Sequence, residues 1–282
     1  MAQDTEHTEG APASADAVSS SDAAAVAAER PMPSPLVYTK TKQITLDPTW
    51  LREHNVFIDQ ATGAGESAYK VLRTRVLQRL RANGWKTLGI TSTRQGDGKT
   101  LTSLNLAISL AQDANQTVLL ADLDLRRPSL LSYLTPEPMP GISDVLSGRE
   151  DLSEVLVNPG IERLVILPGH EALTDSSEQL AGPRMVQMVE ELKTRYPDRI
   201  VLFDLPPVFV GDDVMAFAPN LDALMLVLEE GKTTSEELRA AFELLEGHHI
   251  IGTVLNKSIH NVGPPGYGHY GYGSYGYGSY GS

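Results

Sequence analysis

Cysteine is absent from the 282 residues, which excludes disulfides, thiolate catalysis and Cys-ligated zinc or iron–sulfur centres. Basic residues are outnumbered: 23 Lys and Arg stand against 36 Asp and Glu, a formal charge of −13 and a pI near 4.9. Capture of nucleic acid or of an anionic membrane by charge needs basic surface, so no nucleic-acid partner is expected. No apolar run approaches the roughly 20 residues of a membrane span. The first thirty residues carry neither the basic n-region nor the apolar h-region of a secretory signal. The expectation is a cytoplasmic protein that reaches a membrane only through a partner. Aromatic residues are few, 6% of the chain, yet six of the ten tyrosines fall between residues 267 and 282.

What is present fits one folded domain between two unusual ends. A content of 41% hydrophobic and 21% charged residues is that of a soluble globular protein. Residues 1–34 are rich in Ala and Ser, and their six acids (Asp4, Glu6, Glu9, Asp16, Asp22, Glu29) face one base, Arg30. With nothing large and apolar to dock it, this acidic arm is expected to be disordered. Residues 263–282, GPPGYGHYGYGSYGYGSYGS, carry no charge. Glycine at that density opposes helix and strand, so a flexible tail displaying phenols is expected. Residues 35–262 are left as the domain.

Within that domain, apolar runs at 87–92, 117–121, 164–168, 200–203, 223–228 and 250–255 lack polar alternation, as expected of strands covered on both faces. Helical patterns lie between them. Ala68, Val71, Leu72, Val76, Leu77 and Leu80 keep 3.6-residue spacing, and Thr234 with Glu237 forms a capping box that opens a helix to about Glu246. Strand–helix alternation of this kind predicts a doubly wound α/β domain with a mostly parallel sheet.

The first core strand runs into Thr91-Ser92-Thr93-Arg94-Gln95-Gly96-Asp97-Gly98-Lys99-Thr100 and then a helical pattern from Leu101. Gly96 and Gly98 let the backbone curl so that N–H groups face phosphate oxygens, and a helix starting at Lys99 adds the positive end of its dipole. Lys99 would reach the β- and γ-phosphates and the Thr100 hydroxyl would ligate Mg²⁺, with Gly96, Asp97, Gly98 and Leu101 completing the nucleotide cradle. Thr93 stands where the strict motif has glycine. A Gly-rich strand–helix turn that happens to end in Lys-Thr is the plain alternative.

Two further strands end in acids: 118–121 in Asp122-Leu123-Asp124-Leu125-Arg126, and 200–203 in Asp204-Leu205-Pro206-Pro207. Ligands of open α/β sheets bind beyond the carboxyl ends of the strands, so these strands, expected on either side of the phosphate loop, should bring three carboxylates to the nucleotide. Mg²⁺ takes one or two carboxylates plus phosphate. Asp122 and Asp124 alternate, so one would face a metal and the other an incoming acceptor. An Asp after a strand is also a common turn or cap residue, and Asp212 and Asp213 read equally well as the N-cap of a helix over 214–218.

Together the three motifs resemble those of the bacterial tyrosine kinases, the P-loop kinases of capsule and exopolysaccharide production. ITSTRQGDGKT is similar to their Walker A, VLLADLDLRRP to their Walker A′ and RIVLFDLPP to their Walker B. GISDVLSG and EQLAGPRM also resemble segments between those motifs, and the likeness spans about residues 60–258. The resemblance implies a P-loop NTPase fold of the MinD-like type and ATP-dependent autophosphorylation of the tail, in trans within a ring. Asp124, Asp204 and Thr100 would then hold Mg²⁺, and Asp122 would accept the proton of the attacking tyrosine. Tyr267, Tyr270, Tyr272, Tyr275, Tyr277 and Tyr280 would be the acceptors. Asn256, after the last strand, would read the purine base. The chain resembles the split type, which works with a separate membrane adaptor of the polysaccharide co-polymerase kind and with a tyrosine phosphatase.

Some positions depart from the family pattern. Gln95 stands where the family usually has Pro, and Arg94 where the related partitioning ATPases carry a signature Lys. The ring-forming Glu-x-x-Arg-x-x-Arg is represented by Ser67, Lys70 and Arg73, with Glu66 one place early. Lys70, Arg73, Arg75, Arg79, Arg81 and Lys86 read as a basic face able to meet phosphorylated tails. Two other functions use the same nucleotide site: a ParA/MinD-like ATPase switch, and a catalytically idle scaffold whose tail recruits partners.

Overall fold

The computed structural model describes residues 41–58, 64–113, 115–195 and 198–258. The acidic arm and the tyrosine-rich tail lie outside them. The sheet strands are β1 (Lys42–Gln43), β2 (Thr87–Ser92), β3 (Thr117–Asp122), β4 (Val157–Asn158), β5 (Leu164–Leu167), β6 (Arg199–Asp204), β7 (Ala223–Glu229) and β8 (Ile250–Asn256). They form one sheet in the order β1-β4-β5-β3-β6-β2-β7-β8. All neighbours are parallel except β4 and β5. The helices are α1 (Pro48–Glu53), α2 (Ala64–Asn83), α3 (Lys99–Ala111), α4 (Ile142–Ser147), α5 (Leu152–Val155), α6 (Ser176–Ala181), α7 (Pro183–Thr194), α8 (Asp213–Phe217) and α9 (Ser235–Leu244).

The sheet divides the interior into two cores. Along β3, β6 and β7, Leu119, Ala121, Val201, Phe203, Leu224 and Leu226 enter one core with α4, α6, α7 and α8. Val118, Leu120, Ile200, Leu202, Met225 and Val227 enter the other with α2 and α3. Side chains of a strand alternate between faces, so an unbroken apolar run is what a strand needs when helices cover both sides. This is the doubly wound architecture expected. Strand β8 is the exception: as an edge strand it is only half covered, and Leu255 is 56% exposed. The two-residue strands β1 and β4 are too short to leave a pattern in sequence.

The capping box at Thr234 is present, with Thr234 Oγ1 accepting from Glu237 N and Glu237 Oε2 from Thr234 N. The basic residues of α2 do not form a single face. At about 100° per residue, Arg75 and Arg79 lie across the helix from Lys70 and Arg81, while Lys70 pairs with Glu66 and Arg81 with Asp113. Arg73 donates to the Ser109 carbonyl of α3.

Strand order also corrects the expected placement of the acidic strands. β6 lies between β2 and β3, so Asp122 and Asp204 both lie to one side of the phosphate loop rather than flanking it. They are direct partners in register.

Candidate nucleotide and phosphotransfer site

The loop joining β2 to α3 is fixed by its own polar side chains. Gly96 and Gly98 have φ of +88° and +90°, a left-handed conformation that glycine adopts without steric cost. A Cβ on Gly98 would lie 2.1 Å from Asn256 Nδ2. Asp97 is buried, and its Oδ2 accepts from Thr93 Oγ1 at 3.0 Å and from Arg94 N at 2.9 Å. The Asp97 carboxylate is therefore a brace of the loop. From the end of β8, Asn256 Nδ2 donates to the Asp97 carbonyl at 2.8 Å and Lys257 Nζ to the Gly96 carbonyl at 2.7 Å. In this structure Asn256 is thus engaged by the loop itself.

Lys99, Thr100 and Leu101 open α3. Lys99 Nζ lies 2.9 Å from Asp124 Oδ2 and 3.4 Å from Asp204 Oδ2. Thr100 Oγ1 donates to Asp204 Oδ2 at 2.6 Å, and Ser103 Oγ, one turn later, to Asp204 Oδ1 at 3.1 Å. Burial works to lower the Lys99 pKa, but Asp204, Asp124 and Asp122 outweigh it and hold the ammonium above its ordinary range. Burial pushes the Asp204 carboxyl upward against the pull of Lys99 and Thr100.

Asp122 is placed differently. Its Oδ2 accepts from Ser129 N and Leu130 N, both at 2.9 Å, and its Oδ1 from Asp124 N at 3.2 Å. Burial and then the nearby Asp204 charge push its pKa up to about 7, against the Leu130 N–H and Lys99. A carboxylate poised there can take a proton at neutral pH. Strand alternation does not separate Asp122 from Asp124, because residues two apart on a strand share a face. β3 ends at Asp122, and the chain that leaves it takes Asp124 to Lys99 while Asp122 lines a cleft beyond the strand end.

Thr100, Asp124 and Asp204 converge on one place and offer only oxygen donors. That set suits Mg²⁺, which takes few protein ligands and completes its shell with water and phosphate. Among the described residues no three His, Cys, Asp or Glu side chains form a metal cage of their own.

Around this cluster, contacts join residues far apart in sequence. Arg126 pairs with Asp213 at 2.5 Å, and Ser176 Oγ also donates to Asp213. Asp213 is therefore a buried ion-pair partner, and neither Asp212 nor Asp213 caps α8 through its side chain. Gln95 accepts from Arg127 at 2.8 Å, and Arg94 is drawn back onto Glu237 at 2.5 Å. The six tail tyrosines lie outside the described residues.

The family described as "AAA domain" matches residues 85–218, which hold all three motifs. The chain is 30% identical over 210 residues to the tyrosine-protein kinase CpsD of Streptococcus agalactiae, covering 73% of this chain and 89% of that one. A CpsD of Streptococcus pneumoniae serotype 4 is 32% identical over 195 residues, 84% of its length. The chain belongs to the bacterial tyrosine-protein kinases. Among solved structures, the kinase domain of Escherichia coli tyrosine kinase ETK superposes with a TM-score of 0.68 at 26% identity, over 84% of this chain and 95% of that one. The septum site-determining protein MinD of Pyrococcus horikoshii, solved with Mg-ADP, shares the fold alone, with a TM-score of 0.50 at 23% identity over 60% of this chain and 69% of that one. No helix among the described residues is long and apolar enough to cross a membrane.

Proposed function

We propose that this kinase uses Mg²⁺–ATP to phosphorylate its own C-terminal tyrosines, Tyr267, Tyr270, Tyr272, Tyr275, Tyr277 and Tyr280, in trans between copies of the chain. The observation that carries the reading is the division of labour among three carboxylates: Asp124 and Asp204 contact Lys99 and Thr100, while the neighbouring Asp122 is held by Ser129 N and Leu130 N and lines a cleft.

Lys99 and the N–H groups of the loop would hold the β- and γ-phosphates, and Thr100, Asp124 and Asp204 would hold Mg²⁺, which neutralises charge on the transferring group. A phenol has a pKa of about 10 and is a weak nucleophile at neutral pH. Asp122 would take its proton as the new O–P bond forms and the bond from the γ-phosphorus to the bridging oxygen breaks, leaving ADP. The rest of the rate comes from positioning. A twenty-residue tail can extend roughly 65–70 Å, enough to reach a neighbouring copy. Full modification would add about −9 to −12 charge, and we propose that it loosens the assembly.

The cellular role we propose is control of exopolysaccharide polymerisation or export, with a polysaccharide co-polymerase adaptor at the membrane and a tyrosine phosphatase as partners. The support is kinship: a succinoglycan biosynthesis transport protein of Rhizobium meliloti is 27% identical over 212 residues, 27% of its own length. A ring would need Glu66 and Arg73 between subunits, whereas here Glu66 meets Lys70 and Arg73 meets Ser109.

Mixing the unlabelled chain with a ¹⁵N-labelled Lys99→Met chain and Mg²⁺–ATP tests transfer in trans. Phosphate on the heavy, inactive chain is expected. Phosphate confined to the light chain would mean transfer in cis, and none on either would favour an ATPase switch or scaffold.

A further inference from the structure

Beyond Asp122 the sheet opens into a cleft of about 220 Å³. That is below the roughly 300–1,000 Å³ of pockets that take cofactor-sized ligands, and it suits a single aromatic side chain. Pro128, Leu131, Pro136, Pro138 and Met139 give it stiff apolar walls, and Asp122 is part of its lining. The acids Asp122 and Glu137 line it without a lysine or arginine, so it fits an uncharged phenol and disfavours a phosphorylated one.

Two residues after β5 complete the cleft. A Cβ on Gly169 would lie 2.2 Å from Pro128 Cβ and 3.2 Å from Asp122 Oδ2, so only glycine lets this segment close against the carboxylate. His170 follows at φ +74°, a conformation that side chains rarely adopt and that clusters at functional positions. Its Nδ1 lies 2.7 Å from Asp144 Oδ2. Asp144 is itself fixed by Gly141 N at 2.8 Å and by Arg149 at 2.8 Å, and these partners, against the effect of burial, hold its carboxyl below the usual range. With Nδ1 engaged, Nε2 is the imidazole's remaining polar atom, on a residue of the cleft wall.

We infer that this cleft receives the acceptor tyrosine and that His170, held by Asp144 and Arg149, is a positioning residue that hydrogen-bonds the peptide beside that tyrosine. The inference rests on the kinase reading and deepens it. The tail's sequence agrees with it: each of the six tyrosines is followed by glycine, and each is preceded by Gly or Ser except Tyr270, which follows His269, so mostly small neighbours leave the peptide backbone open to a side-chain contact.

The test uses the full chain and a synthetic peptide of residues 263–282, read by transfer from ATP and, separately, by anisotropy of the labelled peptide. His170→Gly removes the imidazole and keeps the backbone conformation without strain; His170→Asn keeps a polar side chain that tolerates it. For His170→Gly the peptide KM and Kd are expected to rise about tenfold, the effect of one lost hydrogen bond, with the KM for ATP unmoved and partial recovery in His170→Asn. Equal peptide KM and Kd in wild type and His170→Gly would overturn the assignment. If wild type transfers no phosphate yet binds the peptide through His170, the kinase reading falls and the site stands.

Discussion

Lys99 Nζ lies 2.9 Å from Asp124 Oδ2, so the cation of the phosphate loop is spent on a carboxylate proposed to hold Mg²⁺. Both groups are buried, with side-chain exposures of 9% and 11%. The arrangement neutralises the acidic cluster and would open as phosphates and metal replace its partners.

Replacing Lys99 with Met should therefore do two things. It should abolish phosphotransfer, and it should cost about 3–5 kcal/mol of stability by leaving buried carboxylates unpaired. Chemical denaturation without nucleotide checks the second effect. A variant as stable as wild type would mean that the cluster is neutralised some other way.

Asp122→Asn should slow transfer by roughly 10²–10⁴-fold, the usual contribution of a general base. Its effect on stability has the opposite sign. The folded-state pKa of Asp122 is raised from 3.8 to about 7, so the folded chain binds this proton more tightly than the unfolded chain does. The stability it contributes is full below pH 4 and is lost as pH rises through 7. Melting scans without Mg²⁺ or ATP should show the Asn variant gaining on wild type between pH 5 and 8. A pH-independent difference would contradict the assigned pKa.

Arg126 and Asp213 should respond unequally to truncation. Arg126 is 36% exposed and Asp213 1%, so the cation left by Asp213→Ala can turn to water, whereas the carboxylate left by Arg126→Ala cannot. Arg126→Ala should cost about 3–5 kcal/mol and Asp213→Ala less. Urea denaturation of both variants measures the difference; the reverse order would contradict this account.

Gly98→Ala should impair the phosphate loop, because a Cβ there meets Asn256 at 2.1 Å and φ is +90°. Strain of this kind costs about 1–3 kcal/mol, so nucleotide affinity should fall about tenfold or more. Asn256→Ala, which removes the brace but adds no clash, should fall less. Titration with a fluorescent nucleotide compares the two.

The core strands could be read from sequence because helices cover both faces and no polar residue interrupts the runs; Thr87–Ser92 is found with the expected bounds. Strand order could not be read, since the lateral neighbour of β2 is decided by packing, and so the acids were expected on both sides of the loop. The phosphate loop and its acids carried their own pattern: Lys99, Thr100, Asp124 and Asp204 meet as anticipated. Contacts between residues distant in sequence left no such trace. Lys257 reaches Gly96 across 161 positions and Asp213 meets Arg126 across 87. The partnership of His170 with Asp144 was equally hidden.

The most direct test is the intact mass of the purified chain before and after Mg²⁺–ATP, beside Lys99→Met. Increments of about 80 Da per phosphate, located by peptide mapping between Tyr267 and Tyr280 and absent from the variant, are predicted. An unchanged mass, with a cytoplasmic segment of the membrane adaptor also present, would contradict the assignment of this site to tyrosine phosphorylation.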